Sequence, residues 1–103
     1  MATTTKNWAL TSYTNNTWVD VVNENSTLAA IMIANTAGGQ VTIQLRIAQS
    51  GSKLVTIIPQ KVMQSNESFT LDLRSLNLTA NQSLQINASA TGVEILASGV
   101  AWS

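Results

Sequence analysis

The chain has 103 residues with no cysteine and no histidine, and its five basic residues balance five acidic ones at neutral pH. These counts exclude a disulfide framework, a thiolate zinc site and every catalytic arrangement that needs a histidine or a cysteine. They also leave no cluster of positive charge for nucleic acid or an anionic membrane surface, and the length is that of one domain.

Neutral groups supply most of the polarity, since threonine, serine, asparagine and glutamine make up 41 of the 103 residues. Charged residues are only 10% of the chain. Net charge ordinarily keeps copies of a protein apart, so a neutral surface with few charges tolerates packing against identical or similar chains. The composition favours a role in assembly, although an ordinary secreted module could share it.

The beginning of the chain is polar. Residues 1–7 lack the apolar core of a signal peptide, and no apolar run approaches the roughly 20 residues that span a bilayer. We therefore expect the chain to fold in the cytoplasm of the cell that makes it. We also expect residues 1–7 to form a flexible arm ahead of a single domain over residues 8–103.

The first strands follow this arm. Residues 8–13 and 18–22 read as two strands joined by a polar turn. Residues 40–48 alternate apolar and polar side chains with period two, which indicates a strand with one buried face. Residues 27–35 form a further apolar run, and the small residues at 36–39 favour a tight turn, so we predict a β-hairpin there.

A second turn at residues 49–52 precedes a strand at 53–58. We expect Pro59 to end that strand, because proline has no N–H to donate to a sheet. Alternation then predicts strands at 69–73 and 84–88 with a loop between them.

The last predicted strand runs from Val93 to about Trp102 and carries apolar residues on both faces. Val93 and Ile95 lie on one face, while Leu96, Val100 and Trp102 lie on the other. The second face should therefore contact either the N-terminal strand or a neighbouring subunit. Seven or eight short strands without a helical period predict a two-sheet antiparallel β-sandwich or jelly roll, with a closed barrel as the alternative.

Carboxylates are the groups left for acid–base chemistry or metal binding. They occur singly along the chain, which is typical of solvated surface residues; they are Asp20, Glu24, Glu67, Asp72 and Glu94. We therefore predict no enzyme activity, no metal site and no cofactor.

The aromatic residues allow two interpretations. Sugar-binding modules stack exposed aromatic rings on pyranose rings, and three tryptophans are present. Alternatively, Trp8, Trp18 and Phe69 anchor the core or the sheet edges. Trp102, near the carboxyl end, is expected to be exposed or to contact another chain, because interfaces are enriched in tryptophan.

The order of features from residue 18 to residue 100 resembles a group of small virion proteins of tailed bacteriophages. The resemblance covers a strand ending in Asn35-Thr36, the alternating strand at 41–48, the segments 67–71 and 78–86, and the closing Ser98-Gly99-Val100. Members of that group often read Ala-Gly-Asp where this chain has Ala80-Asn81-Gln82. The resemblance implies a β-sandwich present in many copies on the capsid, neck or tail, and it implies no catalytic residues.

These observations together lead us to expect a structural accessory protein of a tailed-phage virion, first of all a capsid decoration (cement) protein that stabilises the shell by protein–protein contacts. A neck, tail or baseplate component is one alternative, and a carbohydrate- or receptor-binding module is another. The expected partners are the major capsid protein or other virion proteins and further copies of the chain, with a trimer as one option. The candidate interface residues are Trp102, Leu96, Val100, Trp8 and Lys6.

Overall fold

The computed structural model describes residues 3–11, 15–50, 52–79 and 81–102, which form eight strands and no helix. In chain order the strands are β1 (Thr3–Leu10), β2 (Val19–Val22), β3 (Ser26–Asn35), β4 (Val41–Gln49), β5 (Ser52–Met63), β6 (Ser68–Leu78), β7 (Gln82–Ala88) and β8 (Val93–Trp102). They form two four-stranded sheets. Sheet I has the order β1-β8-β3-β6, and sheet II has the order β2-β7-β4-β5.

The strand order is that of a jelly roll. Each strand in the first half of the chain pairs antiparallel with its counterpart in the second half: β1 with β8, β2 with β7, β3 with β6, and β4 with β5. This is one long hairpin wrapped into two packed sheets. The predicted two-sheet architecture is confirmed, and the barrel alternative is wrong because the two sheets are separate.

One hydrophobic core lies between the sheets. In β4 the apolar residues Val41, Ile43, Leu45 and Ile47 are all at most 3% exposed, as their alternation predicts. Buried apolar side chains of β3, β7 and β8 belong to the same cluster, so the core contains residues of both sheets. Each fully buried side chain of this size contributes about 1.5–3 kcal/mol, so the core supplies most of the stability of the fold.

The hairpin predicted between residues 27–35 and 40–48 is wrong, because β3 lies in sheet I and β4 lies in sheet II. The buried side chain of Asn35 holds this crossing. Its Nδ2 lies 2.8 Å from the carbonyl oxygen of Gly39, 3.2 Å from that of Met63 and 3.0 Å from that of Gln64. Its Oδ1 accepts a hydrogen bond from the N–H of Ala37 at 3.0 Å. One amide thus joins the end of β3 to the approach to β4 and to the end of β5.

Pro59 does not end its strand, contrary to prediction, since β5 continues to Met63. Two conditions make the proline compatible with a sheet. Among the described strands β5 lies at the edge of its sheet and pairs with β4 alone, and the register shifts between the pairs Ile43↔Lys61 and Leu45↔Ile58, so Pro59 falls at an irregularity. Proline is tolerated at edges and bulges, where no N–H is required.

The N-terminal strand also begins earlier than predicted. Residues 3–7 are not an arm but the first part of β1, with Thr3 opposite Trp102 and Asn7 opposite Ser98. The strand extends because β8 reaches Trp102 and offers backbone groups to a segment of β-branched threonines. The boundary of the predicted arm is therefore corrected for residues 3–7. Met1 and Ala2 lie outside the described residues, as do residues 12 and 13 of the strand predicted at 8–13.

Two further sequence features have a structural reason. Asn81 adopts a φ of 67° just before β7, and asparagine is among the few residues other than glycine that tolerate this conformation. Gly99 lies against β3 so closely that an added Cβ would be 2.9 Å from Cα of Leu28 and closer still to the carbonyl oxygen of Thr27. Only glycine fits there without a shift of the backbone.

Asn35→Ala should lower the free energy of unfolding by about 3 kcal/mol, because buried carbonyl groups lose their donor. The exposed Asn23 serves as a matched control, and Asn23→Ala should change stability by less than about 0.5 kcal/mol. Urea unfolding measures both values. Equal destabilisation in the two variants would contradict the role given to Asn35.

Gly99→Ala should cost about 1–3 kcal/mol, because β3 must move to admit the methyl group. A Cβ at Gly39 would meet no heavy atom within 4 Å, so Gly39→Ala is the control and should be close to neutral. Thermal unfolding of both variants checks the difference. A Gly99→Ala protein as stable as Gly39→Ala would show that the close approach of β3 and β8 is relaxed at little cost.

Candidate interaction surface

Leu96, Val100 and Trp102 lie on the outer face of sheet I, as their alternation predicts. Their neighbours in β8 point inward: Ile95 is buried, and Ala101 packs against the core. The three outer residues are partly exposed and do not belong to the set that packs against the core. The alternation of β8 therefore continues to the end of the strand.

Neighbouring strands add to this face, because residues directly opposite in antiparallel strands share a side of the sheet. Leu96 stands opposite Ala9 of β1 and Met32 of β3. Met32 is 48% exposed, one of the most exposed large apolar side chains among the described residues. We call Met32, Leu96, Val100 and Trp102 the outer patch.

The surroundings of the outer patch are neutral at one end. Val100 and Trp102 line an open depression of about 520 Å³ whose other walls are uncharged; they are Thr3, Thr27, Asn77 and Thr79. Around Met32 and Leu96 a smaller depression of about 190 Å³ includes one carboxylate, that of Glu94. The border is thus uncharged around Val100 and Trp102, whereas the carboxylates of Glu94 and Asp72 lie on the same face near Met32.

The N-terminal strand does not cover this face, although that was one of its two predicted partners. β1 lies beside β8 in the same sheet and pairs with it edge to edge. Backbone pairing places β1 in the plane of the sheet, so its side chains extend the outer face and do not cover it. A neighbouring subunit therefore stays as the prediction for this face.

Trp8 and Lys6, the other two candidate residues, lie apart from the outer patch. Trp8 is 9% exposed and belongs to the core. Its Nε1 donates a hydrogen bond to Oε2 of Glu24 at 3.0 Å, and Nζ of Lys6 donates to the same oxygen at 2.7 Å. These bonds, with that from Lys6 the larger, hold the pKa of the Glu24 carboxyl below its ordinary value of 4.5. Lys6, Trp8 and Glu24 thus form a polar cluster next to the core.

The edge of sheet II carries exposed apolar residues that the sequence analysis did not single out. Leu54, Val55 and Val62 of β5 are 49%, 51% and 47% exposed. An unpaired edge can recruit another strand, but β5 also contains Pro59 and two lysines, Lys53 and Lys61, which are the usual means of preventing such pairing. Pro59 was a signal of an edge strand in the sequence, although it was interpreted above as the end of the strand.

The outer face of sheet II is polar. Asp20, Gln85 and Arg46 form a chain of hydrogen bonds: Nε of Arg46 donates to Oε1 of Gln85 at 2.8 Å, and Nε2 of Gln85 donates to Oδ1 of Asp20 at 2.7 Å. The guanidinium of Arg46 also lies over the ring of Trp18, 4.1 Å from its centroid. Trp18 is therefore fixed on this face rather than in the core.

A groove lies beside this chain of hydrogen bonds. It is an open depression of about 380 Å³, and the described residues that line it are uncharged; they are Asn16, Thr42, Gln44, Gln60, Asn87 and Ser89. In the sequence the outward residues of β4 are only the exposed half of a strand. Their position next to β5 and β7 depends on the sheet order, which the segment itself does not contain.

Among the carboxylates predicted to be surface residues, Asp20, Glu24 and Glu67 have local partners. Oδ1 of Asp20 accepts a hydrogen bond from Gln85, and Glu24 binds Lys6 and Trp8. Oε1 of Glu67 accepts one from the N–H of Gln64 at 2.8 Å. No group of three or more carboxylates that could hold a metal ion occurs within the described ranges. None of the described residues belongs to a helix long and apolar enough to cross a membrane.

No protein-family model, no curated protein and no solved structure significantly matches the chain.

The stabilisation from Glu24 should depend on pH. A carboxyl whose pKa is lowered by folding contributes fully above its unfolded-state pKa and loses that contribution as the pH falls through the folded-state value. The difference in unfolding free energy between the wild type and Glu24→Gln should therefore be largest at neutral pH and narrow in acid below 4.5. Urea unfolding at a series of pH values measures it.

Lys6→Met provides the companion experiment, because it removes the stronger of the two donors to Glu24. In the Lys6→Met variant the pKa of the Glu24 carboxyl should be lowered less. The stabilisation from Glu24 should therefore be lost at a higher pH in this variant than in the wild type. If the difference in unfolding free energy between the wild type and Glu24→Gln is the same in acid and at neutral pH, the role given to the Lys6, Trp8 and Glu24 cluster is contradicted.

Proposed function

We propose that the chain is a structural accessory protein of a tailed-phage virion, most specifically a capsid decoration protein, and that it attaches through the outer patch. A neck, tail or baseplate position is the alternative within the same class. The observation that carries the proposal is the position of exposed Met32 and partly exposed Leu96, Val100 and Trp102 on one sheet face, with an uncharged border around Val100 and Trp102. The jelly-roll topology, which viral capsid proteins also use, supports it.

The chemistry of the outer patch suits contact with protein. Interface cores are depleted in charge and enriched in tryptophan and methionine, and both residues are present in the patch. The threonine and asparagine border can make hydrogen bonds to a partner without the cost of desolvating a charge. Such a face can bury apolar and neutral polar surface against several kinds of subunit.

The dimensions of the chain allow an interface of ordinary size. The molecule measures 44 × 25 × 21 Å. A face of the two larger dimensions covers roughly 1,000 Å², against about 800 Å² per partner in a standard interface. Sheet I could thus lie across a joint between capsid subunits. Contacts made there would add to those that oppose the outward pressure of packaged DNA.

Incorporation into particles tests the proposal. Virions of the phage that encodes the chain should contain it in many copies, measured by quantitative mass spectrometry of purified particles. Leu96→Asp should reduce the number of copies at least about ten-fold, because a buried unpaired carboxylate costs about 2–5 kcal/mol. Circular dichroism of the isolated variant should match that of the wild type, since Leu96 lies outside the core.

Leu54→Asp is the matched control, since Leu54 is an exposed leucine of the other sheet. It should leave the number of copies unchanged. Purified particles without the chain, or wild-type incorporation of Leu96→Asp, would contradict the proposal. Gold labelling of a tagged chain would separate the two positions, because a decoration protein labels the capsid and the alternative labels the neck or tail.

A further inference from the structure

The groove on sheet II has a fixed frame. Asn16, in the turn before β2, adopts a φ of 58°, and its N–H donates to the carbonyl oxygen of Ala88 at 2.8 Å. The next residue, Ser89, exchanges two hydrogen bonds with Thr42: the N–H of Ser89 donates to the carbonyl of Thr42 at 2.9 Å, and the N–H of Thr42 donates to Oγ of Ser89 at 3.0 Å. The walls are thereby positioned by backbone contacts.

The side-chain amides in the groove are not used by the fold. Within the part of the chain that the structure describes, the amide groups of Asn16, Gln44, Gln60 and Asn87 make no hydrogen bond to protein. Other amides of the molecule are engaged, as the bonds of Asn35 show. Each amide has two N–H donors and one carbonyl acceptor. Four such groups therefore face one concave surface with their hydrogen-bonding capacity available.

This lining selects the chemistry of a ligand. No charged side chain of the described residues lines the groove, so these residues do not compensate a charged ligand for lost hydration. A sugar carries hydroxyl groups that both donate and accept, which matches the donor and acceptor pair of each amide. The volume of about 380 Å³ lies within the range of roughly 300–1,000 Å³ that is usual for small-molecule sites.

An aromatic ring adjoins the groove. Gln44 also lines a second cavity of about 140 Å³, whose lining includes Trp18 and, unlike that of the groove, two cations, Arg46 and Lys53. Arg46 lies over the ring of Trp18 and is itself bonded to Gln85, so the indole is held in place. The guanidinium covers one face of the indole, so the rest of this partly exposed side chain is the apolar surface that remains for the C–H groups of a sugar, next to amides that can bond its hydroxyls.

From these features we infer that the groove and the adjoining Trp18 form a binding site for a neutral oligosaccharide. The site lies on sheet II, on the opposite side of the molecule from the outer patch, so it does not rest on the proposed assembly function. Gln44 and Asn87 contribute hydrogen bonds to hydroxyl groups, and Trp18 provides the ring contact. A chain attached through sheet I would leave this site open to solvent.

Titration of the ¹⁵N-labelled full chain with four trisaccharides tests the inference. The probes are maltotriose, cellotriose and chitotriose, which are neutral, and trigalacturonate, which is acidic. At least one neutral probe should produce saturable shifts at the side-chain amide signals of Gln44 and Asn87 and at the indole N–H of Trp18. Gln44→Ala and Asn87→Ala should each raise the Kd for that probe about five- to ten-fold, as expected for the loss of one hydrogen bond.

Gln49→Ala is the matched control, because Gln49 is an exposed glutamine of the same strand that does not line the groove. It should leave the Kd unchanged, and all three variants should melt at the wild-type temperature.

Absence of saturable shifts with every probe at millimolar concentration, or binding of trigalacturonate alone, would overturn the inference. So would a Kd that is unaffected by both Gln44→Ala and Asn87→Ala. Particle incorporation of Gln44→Ala should equal that of the wild type, which keeps this test separate from that of the assembly proposal.

Discussion

The buried amide of Asn35 lies where the chain passes from sheet I to sheet II, and the jelly roll depends on that crossing. Its two polar atoms are within hydrogen-bonding distance of three carbonyl oxygens and one N–H, drawn from the connection to β4 and from the end of β5. Because an unpaired carbonyl is costly in a buried site, the amide favours the crossed path over a local hairpin. β3 is then free to pair with β6 and β8.

This topology separates the molecule into two different outer faces. Sheet I places β8 between β1 and β3, which brings the apolar residues of the outer patch beside rows of threonine. Sheet II places β7 and β4 side by side, which brings Asn87 next to Gln44. The same alternation of inward apolar and outward polar residues thus produces an apolar patch on one side and a groove lined by amides on the other. The two proposed activities use different sheets and do not compete for surface.

Much of the fold was predictable from local pattern. The alternation in β4 and β8 correctly assigned the inward and outward residues, including Leu96, Val100 and Trp102, because side-chain direction in a strand depends only on position. The grouping of Lys6, Trp8 and Glu24 was not predictable, since it joins residues 16 and 18 positions apart across the end of the sandwich. The continuation of β5 through Pro59 was also missed, because an edge position is a property of the whole sheet.

By itself, the sequence determined the class of the protein and the character of its surface. Periodicity and composition act locally, so an all-β chain with one core, few charges and abundant neutral polar side chains followed directly from the residues. Only the tertiary structure decided which strands are neighbours, and therefore which outward residues meet. Asn35 contacts a carbonyl 28 residues away, and Gln44 meets Asn87 only because β4 pairs with β7. Strand pairing is a long-range choice among many competing registers, and no single segment contains the information to make it.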